Sequence, residues 1–278
     1  MDKVISKDGT PIAVDRFGDG PALILVDGAM CSRSFGPMPP LAKELASRFT
    51  VYHYDRRGRG DSGDAAAYDL QREIEDLEAV LQHAGGSAMV FGISSGAALA
   101  GEAVRQLRGI RRLAVYEAPY VIDGTHEPLP PDFIAETRAL VASGDRSAAV
   151  KKFMRYVGTP AIAVLVMSLL PFWKKLTAIA HTLSNDLEII APHHNGKPFP
   201  AGKWSMVTLP VLVMAGGKSP AYMQNSMKAW AAAFPNAVHQ TLAGQTHMVK
   251  QDVLAPRLIE FFALDSQRTP AKELALQR

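Results

Sequence analysis

The sequence predicts an α/β fold with a mostly parallel, eight-stranded sheet, flanking helices on both faces and a helical lid insertion. Short apolar runs alternate with stretches of helical periodicity, which is typical of strand–helix–strand units. The runs Ala22–Val26 and Val211–Met214 are apolar throughout, as expected of strands that are buried on both faces. Between Pro119 and Pro210 the alternation stops, and the intervening residues show helical patterns without a convincing strand.

Eight segments have the composition of strands, and the first two are joined as a hairpin by a turn at Asp8-Gly9. The predicted strands are Lys3–Ser6, Ile12–Phe17, Ala22–Val26, Phe49–Tyr54, Ala88–Gly92, Leu113–Tyr116, Val211–Met214 and Val238–Leu242. Helices between these strands are predicted at Asp69–His83, Ser95–Leu107 and Ala221–Phe234, and a further helix, Ala255–Phe262, is predicted after the last strand. Helices of the lid are predicted at Pro131–Ala142, Arg146–Tyr156, Ala161–Leu170 and Trp173–Leu183.

These patterns divide the chain into three parts. Residues 1–119 and 206–264 form the predicted core, residues 120–205 the lid, and residues 265–278 a polar C-terminal tail. The tail is expected either to be disordered or to make an oligomer contact, so the sequence leaves a homo-oligomer open.

The composition favours a globular protein that acts on a small molecule. Its 30 basic and 27 acidic residues give a formal net charge of +3, so we expect no nucleic-acid partner, and short clusters such as Arg56-Arg57 are expected at the solvated surface. The single cysteine, Cys31, allows no internal disulfide and suits a reducing compartment. The first residues lack the apolar core of a signal peptide, and the longest apolar run, Ala161–Leu170, is too short to span a bilayer. We therefore expect a cytoplasmic protein with no membrane association.

A G-x-S-x-G pentapeptide, Gly92-Ile93-Ser94-Ser95-Gly96, lies between a predicted strand and a helix of small residues. A tight strand-to-helix turn holds its central residue in a strained conformation and exposes the side chain, which suits a nucleophile. The glycines at both ends let neighbouring segments approach the turn closely. Ser95 then lies at a helix N-terminus, where free N–H groups favour developing negative charge. We therefore predict that Ser94 is the nucleophile.

Together with three further segments, the pentapeptide resembles the α/β-hydrolase fold superfamily over about residues 3–264. Val26-Asp27-Gly28-Ala29 stands where that family usually carries His-Gly and its oxyanion loop. Asp55 to Ser62 is similar to the family's D-x-x-G-x-G-x-S turn, and Gly244-Gln245-Thr246-His247 resembles the G-x-x-H ending that supplies the catalytic histidine. The resemblance implies no cofactor and the chain order nucleophile, acid, histidine.

His247 is the predicted general base, because it follows the last predicted strand and lies in the matching motif. His53 and His239 lie within predicted strands and have structural interpretations. The pair His193-His194 lacks the ligand spacing of a metal site, so we predict no metal.

The predicted acid departs from the common family pattern. The loop after Val211–Met214, where family members commonly carry the acid, contains no carboxylate. Some members place it after the preceding strand, and here Glu117 stands at that position. Because parallel sheets carry their chemistry at the carboxyl ends of strands, Glu117 is the favoured acid, with Asp123 and Asp252 as alternatives. The alternative interpretation of Glu117 is that it forms a salt bridge that anchors the lid.

The oxyanion hole is expected to consist of the backbone N–H groups of Ala29 and Ser95. Cys31, close to the same loop, is a rival nucleophile, although no second base is evident beside it. The residues expected to line the substrate pocket are Gly28, Met30, Cys31, Phe172 and Trp173.

A largely apolar pocket favours a neutral or hydrophobic carboxylic ester or lactone, cleaved through an acyl-enzyme on Ser94. Glu117, the pentapeptide and Asp27-Gly28 also resemble lactone-cleaving family members, such as those acting on the mycotoxin zearalenone. Three alternatives stay open: a cofactor-free perhydrolase, a hydrolase of carbon–carbon bonds, and a ligand-binding receptor with slow turnover.

Overall fold

The structure, a computed structural model, describes residues 1–65 and 67–263, and it confirms the predicted fold class. The strands are β1 (Asp2–Ile5), β2 (Pro11–Phe17), β3 (Ala22–Val26), β4 (Thr50–Tyr54), β5 (Ala88–Ile93), β6 (Ile110–Tyr116), β7 (Val211–Gly216) and β8 (Ala237–Leu242). Each strand predicted from the sequence is present, with small shifts at the ends. The predicted tail, residues 265–278, lies outside the described residues.

The strands form one sheet in the order β1-β2-β4-β3-β5-β6-β7-β8. β2 pairs antiparallel with both β1 and β4, whereas every pairing from β4 through β3 to β8 is parallel. The carboxyl ends of β5, β6, β7 and β8 therefore meet at one edge of the sheet. Open parallel sheets bind their ligands outside this edge.

Helices cover both faces of the sheet. The helices are α1 (Met38–Leu45), α2 (Leu70–His83), α3 (Ser95–Ala103), α4 (Phe133–Ala142), α5 (Arg146–Tyr156), α6 (Ala161–Met167), α7 (Trp173–Ala178), α8 (Leu183–Ile190), α9 (Ala221–Ala232) and α10 (Gln251–Ala263). Helices α2, α3 and α9 pack on one face through side chains such as Leu77 and Trp230. Helices α1 and α10 pack on the other face through Leu41 and Leu258. These side chains are almost wholly buried, and such burial stabilises the fold by about 25 cal/mol per Å².

Helix α1, which contains two adjacent prolines, was not predicted from the sequence. Pro39 and Pro40 lie in its first turn, behind Met38. The first N–H groups of a helix have no partner within the helix, so proline removes no hydrogen bond there.

Between β6 and β7 the described chain consists of the helices α4 to α8, two 3₁₀ turns and irregular segments. The single helix predicted at Trp173–Leu183 is wrong, because the segment contains α7, a 3₁₀ turn at Ala180–Thr182 and the start of α8. The α-helical pattern ends at Ile179, whose carbonyl oxygen accepts hydrogen bonds from both the backbone N–H and the hydroxyl of Thr182.

Across the described residues, no helix combines the length and the apolar character that crossing a bilayer requires.

Candidate active site

Ser94 lies in the turn between β5 and α3 with φ 57° and ψ −129°, a conformation that residues other than glycine rarely adopt. Two glycines make this turn sterically feasible. A Cβ atom on Gly92 would lie 2.5 Å from the Gly96 carbonyl oxygen, and one on Gly96 would collide with the carbonyl oxygens of Val26 and Asp27. The pentapeptide therefore packs backbone against backbone, which holds Ser94 at the carboxyl end of β5.

Glu117 follows β6 directly, and its side chain is completely buried. The Glu117 Oε1 atom accepts a hydrogen bond of 2.6 Å from the backbone N–H of Gly216. Its Oε2 atom lies 2.9 Å from Nδ1 of His247, whose side chain is 37% exposed. A carboxylate bonded to Nδ1 favours the tautomer with the proton on that nitrogen, which leaves Nε2 able to accept another.

Hydrogen bonds also tie the segments that carry these side chains. The Tyr116 hydroxyl donates to the carbonyl oxygen of Thr246 at 2.6 Å, which fixes the residue before His247. The Ser94 N–H donates to the Tyr116 carbonyl oxygen at 2.9 Å, which joins the ends of β5 and β6. The structure thus brings Ser94, Glu117 and His247 to one edge of the sheet. Among the described residues, no hydrogen bond joins Ser94 directly to His247.

The segment after β3 passes next to Ser94. A Cβ atom on Gly28 would lie 2.8 Å from Ser94 Cβ and 3.4 Å from Ser94 Oγ, so this close approach requires glycine. Ala29 follows Gly28 in the same segment, and Ser95 is the buried first residue of α3. The two segments predicted to supply oxyanion donors therefore both border Ser94.

An apolar cluster joins this segment to the helices between β6 and β7. Met30 packs in one cluster with Trp173 and with other side chains of α5 to α8, and Phe172 packs against that cluster. Phe172 also stacks on Phe35, with the ring centroids 6.5 Å apart. Trp173 is buried and donates from Nε1 to the Ser147 hydroxyl at 3.0 Å. Three of the predicted pocket residues, Met30, Phe172 and Trp173, are therefore close neighbours.

Cys31 lies in the same segment, and its thiol donates a hydrogen bond of 3.3 Å to the Ala29 carbonyl oxygen. Desolvation of the thiol raises its pKa far above the usual value, and the negative charges of Asp27 and Asp186 add to this effect. Because the thiolate is the reactive form, this environment disfavours Cys31 as a nucleophile near neutral pH.

A network of buried charges, which was not predicted from the sequence, lies beside the segment Gly28-Ala29. Asp186 of α8 accepts hydrogen bonds of 2.6 to 2.8 Å from Arg56, Arg59 and the Ser95 hydroxyl. Arg59 also donates to the Gly28 carbonyl oxygen at 2.5 Å. The partners of Asp186 precede it by 91 to 130 residues, so no local spacing pattern points to this contact.

The expectation that Arg56 and Arg57 belong to the solvated surface is wrong. Arg56 donates two hydrogen bonds to Glu73, and Arg57 donates two to Asp76. Both arginines are at most 2% exposed. Buried charges require paired and hydrogen-bonded partners, and here each guanidinium faces a carboxylate. The density of arginines within the Asp55–Ser62 turn was the only signal of this arrangement in the sequence.

The alternative acids and the paired histidines make other contacts. Asp123 bonds polar neighbours near the surface, and Asp252 is exposed on α10. His193 Nε2 accepts a hydrogen bond from Lys203 Nζ at 2.7 Å, while His194 bonds a tyrosine hydroxyl and a backbone carbonyl. Within residues 1–65 and 67–263, no group of three or more His, Cys, Asp or Glu side chains is arranged to hold a metal ion.

Two cavities, of about 580 and 410 Å³, lie beside the loop that contains Ala65 and Tyr68. Their walls do not include Ser94, Glu117 or His247. The candidate active site is therefore defined by the hydrogen bonds at the strand ends and not by cavity volume.

Fold and site together define a class of protein. The chain matches the "Alpha/beta hydrolase family" over residues 23–253 and belongs to that family. Among solved structures, an alpha/beta hydrolase from Sphaerobacter thermophilus DSM 20745 is 45% identical, with a TM-score of 0.86 and with 94% of this chain and 100% of that chain covered.

Two more distant structures share the fold. An enol-lactonase from Burkholderia xenovorans LB400 is 17% identical with a TM-score of 0.69, and 94% of this chain and 100% of that chain are covered. A thermophilic esterase from Thermogutta terrifontis is 18% identical with a TM-score of 0.67, and the coverage is 94% and 97%. Among proteins of curated function, none matches the chain significantly.

Proposed function

We propose that the protein is a serine hydrolase that cleaves neutral or hydrophobic carboxylic esters or lactones through an acyl-enzyme on Ser94. The observation that carries the proposal is the 2.9 Å contact between Glu117 and His247, at the sheet edge where Ser94 occupies a strained turn. A serine hydroxyl needs a base to accept its proton. An imidazole oriented by a buried carboxylate is the base in many unrelated acyl-transfer enzymes.

In the proposed reaction, Nε2 of His247 takes the hydroxyl proton while Ser94 Oγ attacks the carbonyl carbon of the substrate. The Glu117 carboxylate stays ionised and stabilises the imidazolium. His247 then gives the proton to the leaving oxygen as the C–O bond breaks, and the acyl group remains on Ser94. A water molecule, deprotonated by His247, attacks the acyl carbon and releases the acid together with the free Ser94 hydroxyl.

The negative charge on the substrate oxygen is expected to be stabilised by the backbone N–H groups of Ala29 and Ser95. Gly28 brings the first segment against Ser94, and Ser95 begins α3, where the helix dipole favours an anion. Removal of one such donor typically costs on the order of 3 kcal/mol of transition-state stabilisation.

An apolar substrate group is supported by the neighbours of the oxyanion segment. Met30 connects this segment to the cluster that contains Trp173 and borders Phe172, so an apolar group bound beside Ser94 has apolar side chains within reach. We propose that residues 120–205 form a lid over this site. The structural neighbours include an esterase and an enol-lactonase and also a 2-hydroxy-6-oxo-6-phenylhexa-2,4-dienoate hydrolase, so they leave the carbon–carbon bond alternative open.

The direct test is hydrolysis of a panel of p-nitrophenyl esters and lactones with neutral or charged acyl groups of increasing length. We expect turnover of neutral substrates, and a loss of on the order of 10⁴-fold or more in Ser94→Ala with the fold retained. Ser205→Ala alters an exposed serine and serves as the matched control, with wild-type activity expected.

Other outcomes point to the alternatives. Peroxide-dependent turnover without hydrolysis identifies a perhydrolase, and cleavage of β-diketones in preference to esters identifies a carbon–carbon bond hydrolase. Tight binding of panel members without turnover identifies a receptor. Activity that survives in Ser94→Ala contradicts the proposed nucleophile.

A further inference from the structure

We propose that Arg59 and Asp186 are positioning residues that hold both backbone donors of the oxyanion site, so that helix α8 supports the reaction without touching the substrate. The inference rests on the proposed function, because it takes the N–H groups of Ala29 and Ser95 as the donors. Arg59 occupies a variable position of the D-x-x-G-x-G-x-S turn, so the motif itself does not require an arginine there.

The first donor is oriented through the peptide bond between Gly28 and Ala29. Arg59 Nη1 donates a hydrogen bond of 2.5 Å to the Gly28 carbonyl oxygen. In a planar trans peptide the carbonyl and the following N–H point in opposite directions. The hydrogen bond from Arg59 therefore fixes the orientation of this peptide plane and directs the Ala29 N–H to the opposite side.

The second donor is held through its side chain. The Ser95 hydroxyl donates a hydrogen bond of 2.6 Å to Asp186 Oδ1. The same carboxylate binds Arg59 Nη2, with Oδ1 at 2.8 Å and Oδ2 at 2.7 Å. One carboxylate of α8 thus connects both segments whose N–H groups are needed at the oxyanion.

The linkage is buried and balanced in charge. Arg59, Asp186 and Ser95 are each at most 2% exposed. Arg56 adds a second cation at Asp186 and is neutralised in turn by Glu73. Burial alone would raise the pKa of Asp186, but the charges of the two arginines and the Ser95 hydroxyl lower it below its usual value. A desolvated network whose charges are compensated in this way has few alternative arrangements, which suits it to fixing backbone groups, although the Arg59 Nε donor has no partner among the described residues.

The chain offers a matched control in the same turn. Arg57 is also buried and also binds a carboxylate through two hydrogen bonds, to Asp76. Its other hydrogen bonds go to Asp8 and to the Arg72 carbonyl oxygen, and none of its hydrogen bonds in the described structure reaches Gly28 or Ser95. If substitution of a buried arginine only destabilises the fold, we expect the same loss of activity at Arg57 and at Arg59. If it weakens oxyanion stabilisation, we expect the loss of activity only at Arg59.

The experiment compares Arg59→Met and Arg59→Lys with Arg57→Met. For each we measure kcat and KM on the best ester, the rate at which a fluorophosphonate modifies Ser94, and the thermal midpoint. We expect Arg59→Met to lower kcat and the modification rate by about 10- to 100-fold, less than outright removal of a donor, with KM changed by no more than about threefold. Arg59→Lys is expected to fall between Arg59→Met and wild type, and Arg57→Met to keep kcat while it loses comparable thermal stability.

Ser95→Ala tests the hydrogen bond between the Ser95 hydroxyl and Asp186 without removing a buried charge. It keeps the backbone N–H and removes only the tether to Asp186, so we expect a smaller fall in kcat, of about 3- to 10-fold, at unchanged KM. This variant and Arg59→Lys keep the proposal testable if Arg59→Met does not fold.

The outcomes separate this inference from the function on which it rests. A wild-type protein that neither hydrolyses the panel nor is modified at Ser94 overturns the proposed function and the inference with it. If wild type is active and Ser94→Ala is inactive, but Arg59→Lys and Ser95→Ala keep wild-type kcat and modification rates, only the inference is wrong. Equal losses of kcat in Arg59→Met and Arg57→Met likewise overturn it.

Discussion

Glu117 and Asp186 are both carboxylates that are almost completely buried, yet their partners differ in charge. Glu117 is bound by one backbone N–H and by the imidazole of His247. Asp186 is bound by two guanidinium groups and one hydroxyl. A cation reaches Glu117 only when His247 is protonated, whereas the charge of Asp186 is compensated permanently.

In the proposed reaction this difference separates Glu117, a carboxylate that acts during turnover, from Asp186, a carboxylate that holds other groups in place. In that reaction His247 is protonated and deprotonated twice per cycle, and Glu117 is placed to stabilise each imidazolium. The partners of Asp186 do not change their charge in any step. We therefore expect the isosteric amide substitution at Glu117 to lower mainly activity, and the one at Asp186 to lower mainly stability.

Glu117→Gln is expected to show the largest effect, a fall in kcat of on the order of 10³- to 10⁴-fold with little change in KM or in thermal stability. The amide removes the counter-charge of the imidazolium, although its oxygen can still accept the Gly216 hydrogen bond. Steady-state kinetics on the best ester and a thermal melt provide the two readouts.

The matched controls are Asp123→Asn and Asp252→Asn, which change carboxylates that lie near the surface. Both are expected to keep activity. The assignment of Glu117 as the acid is wrong if one of these controls is inactive while Glu117→Gln retains wild-type kcat.

Asp186→Asn is expected to lower the free energy of unfolding by about 3–5 kcal/mol near pH 7, because it leaves buried arginine charge uncompensated. Urea denaturation of the variant and the wild type measures this difference. Its loss of kcat is expected to be much smaller than that of Glu117→Gln, since an amide oxygen can still accept from Ser95 and Arg59.

The difference in stability between wild type and Asp186→Asn is also expected to depend on pH. The pKa of Asp186 is lowered in the folded protein, so its contribution to stability is complete above the unfolded pKa of about 4 and is lost as the pH falls through the folded pKa. The difference between wild type and Asp186→Asn should therefore narrow below about pH 4. A difference that stays constant through this range contradicts a charged role for Asp186.

The two carboxylates also differ in how far the sequence predicted them. Glu117 was accessible to prediction because it follows an apolar strand directly, and the carboxyl ends of parallel strands share one edge. Ser94 and the strands that carry the site were accessible for the same reason, since alternating apolar runs and glycine turns are local signals. The fold follows from such signals, and so does the neighbourhood of the proposed catalytic residues.

Asp186 had no local signal, because it lies on a short helix, α8, that was not predicted from the sequence and because its partners are distant in sequence. The arginines at positions 56 and 57 were misjudged for a related reason. Composition alone favours the surface for such residues, and only the tertiary structure supplies the carboxylates that make their burial tolerable.

The comparison extends to histidines, since His247 faces a carboxylate and His193 faces an ammonium group. His193 is buried, and burial together with the charge of Lys203 lowers its pKa to about 4. Between about pH 6.5 and 4 the unfolded chain binds the proton and the folded protein does not, so stability falls as the pH is lowered, by up to about 3 kcal/mol.

His193→Gln is expected to remove this part of the pH dependence, because the amide oxygen can accept from Lys203 but does not titrate. Urea unfolding of both proteins at several pH values between 7 and 4.5 measures the difference. Parallel stability curves for wild type and variant over this range contradict the lowered pKa of His193.

The smallest effect is expected at Cys31, whose thiol lies among the same buried charges as Asp186. Because desolvation and nearby carboxylates raise its pKa, little thiolate exists near pH 8 and alkylation by iodoacetamide is expected to be slow. Mass spectrometry should find Cys31 unmodified in the folded protein under conditions that alkylate it completely in urea. The folded protein should keep its hydrolytic activity during treatment with iodoacetamide. Rapid alkylation with parallel loss of activity would instead make Cys31 a reactive part of the site, and the contrast between the compensated charges around Asp186 and the proposed catalytic residues would then no longer hold.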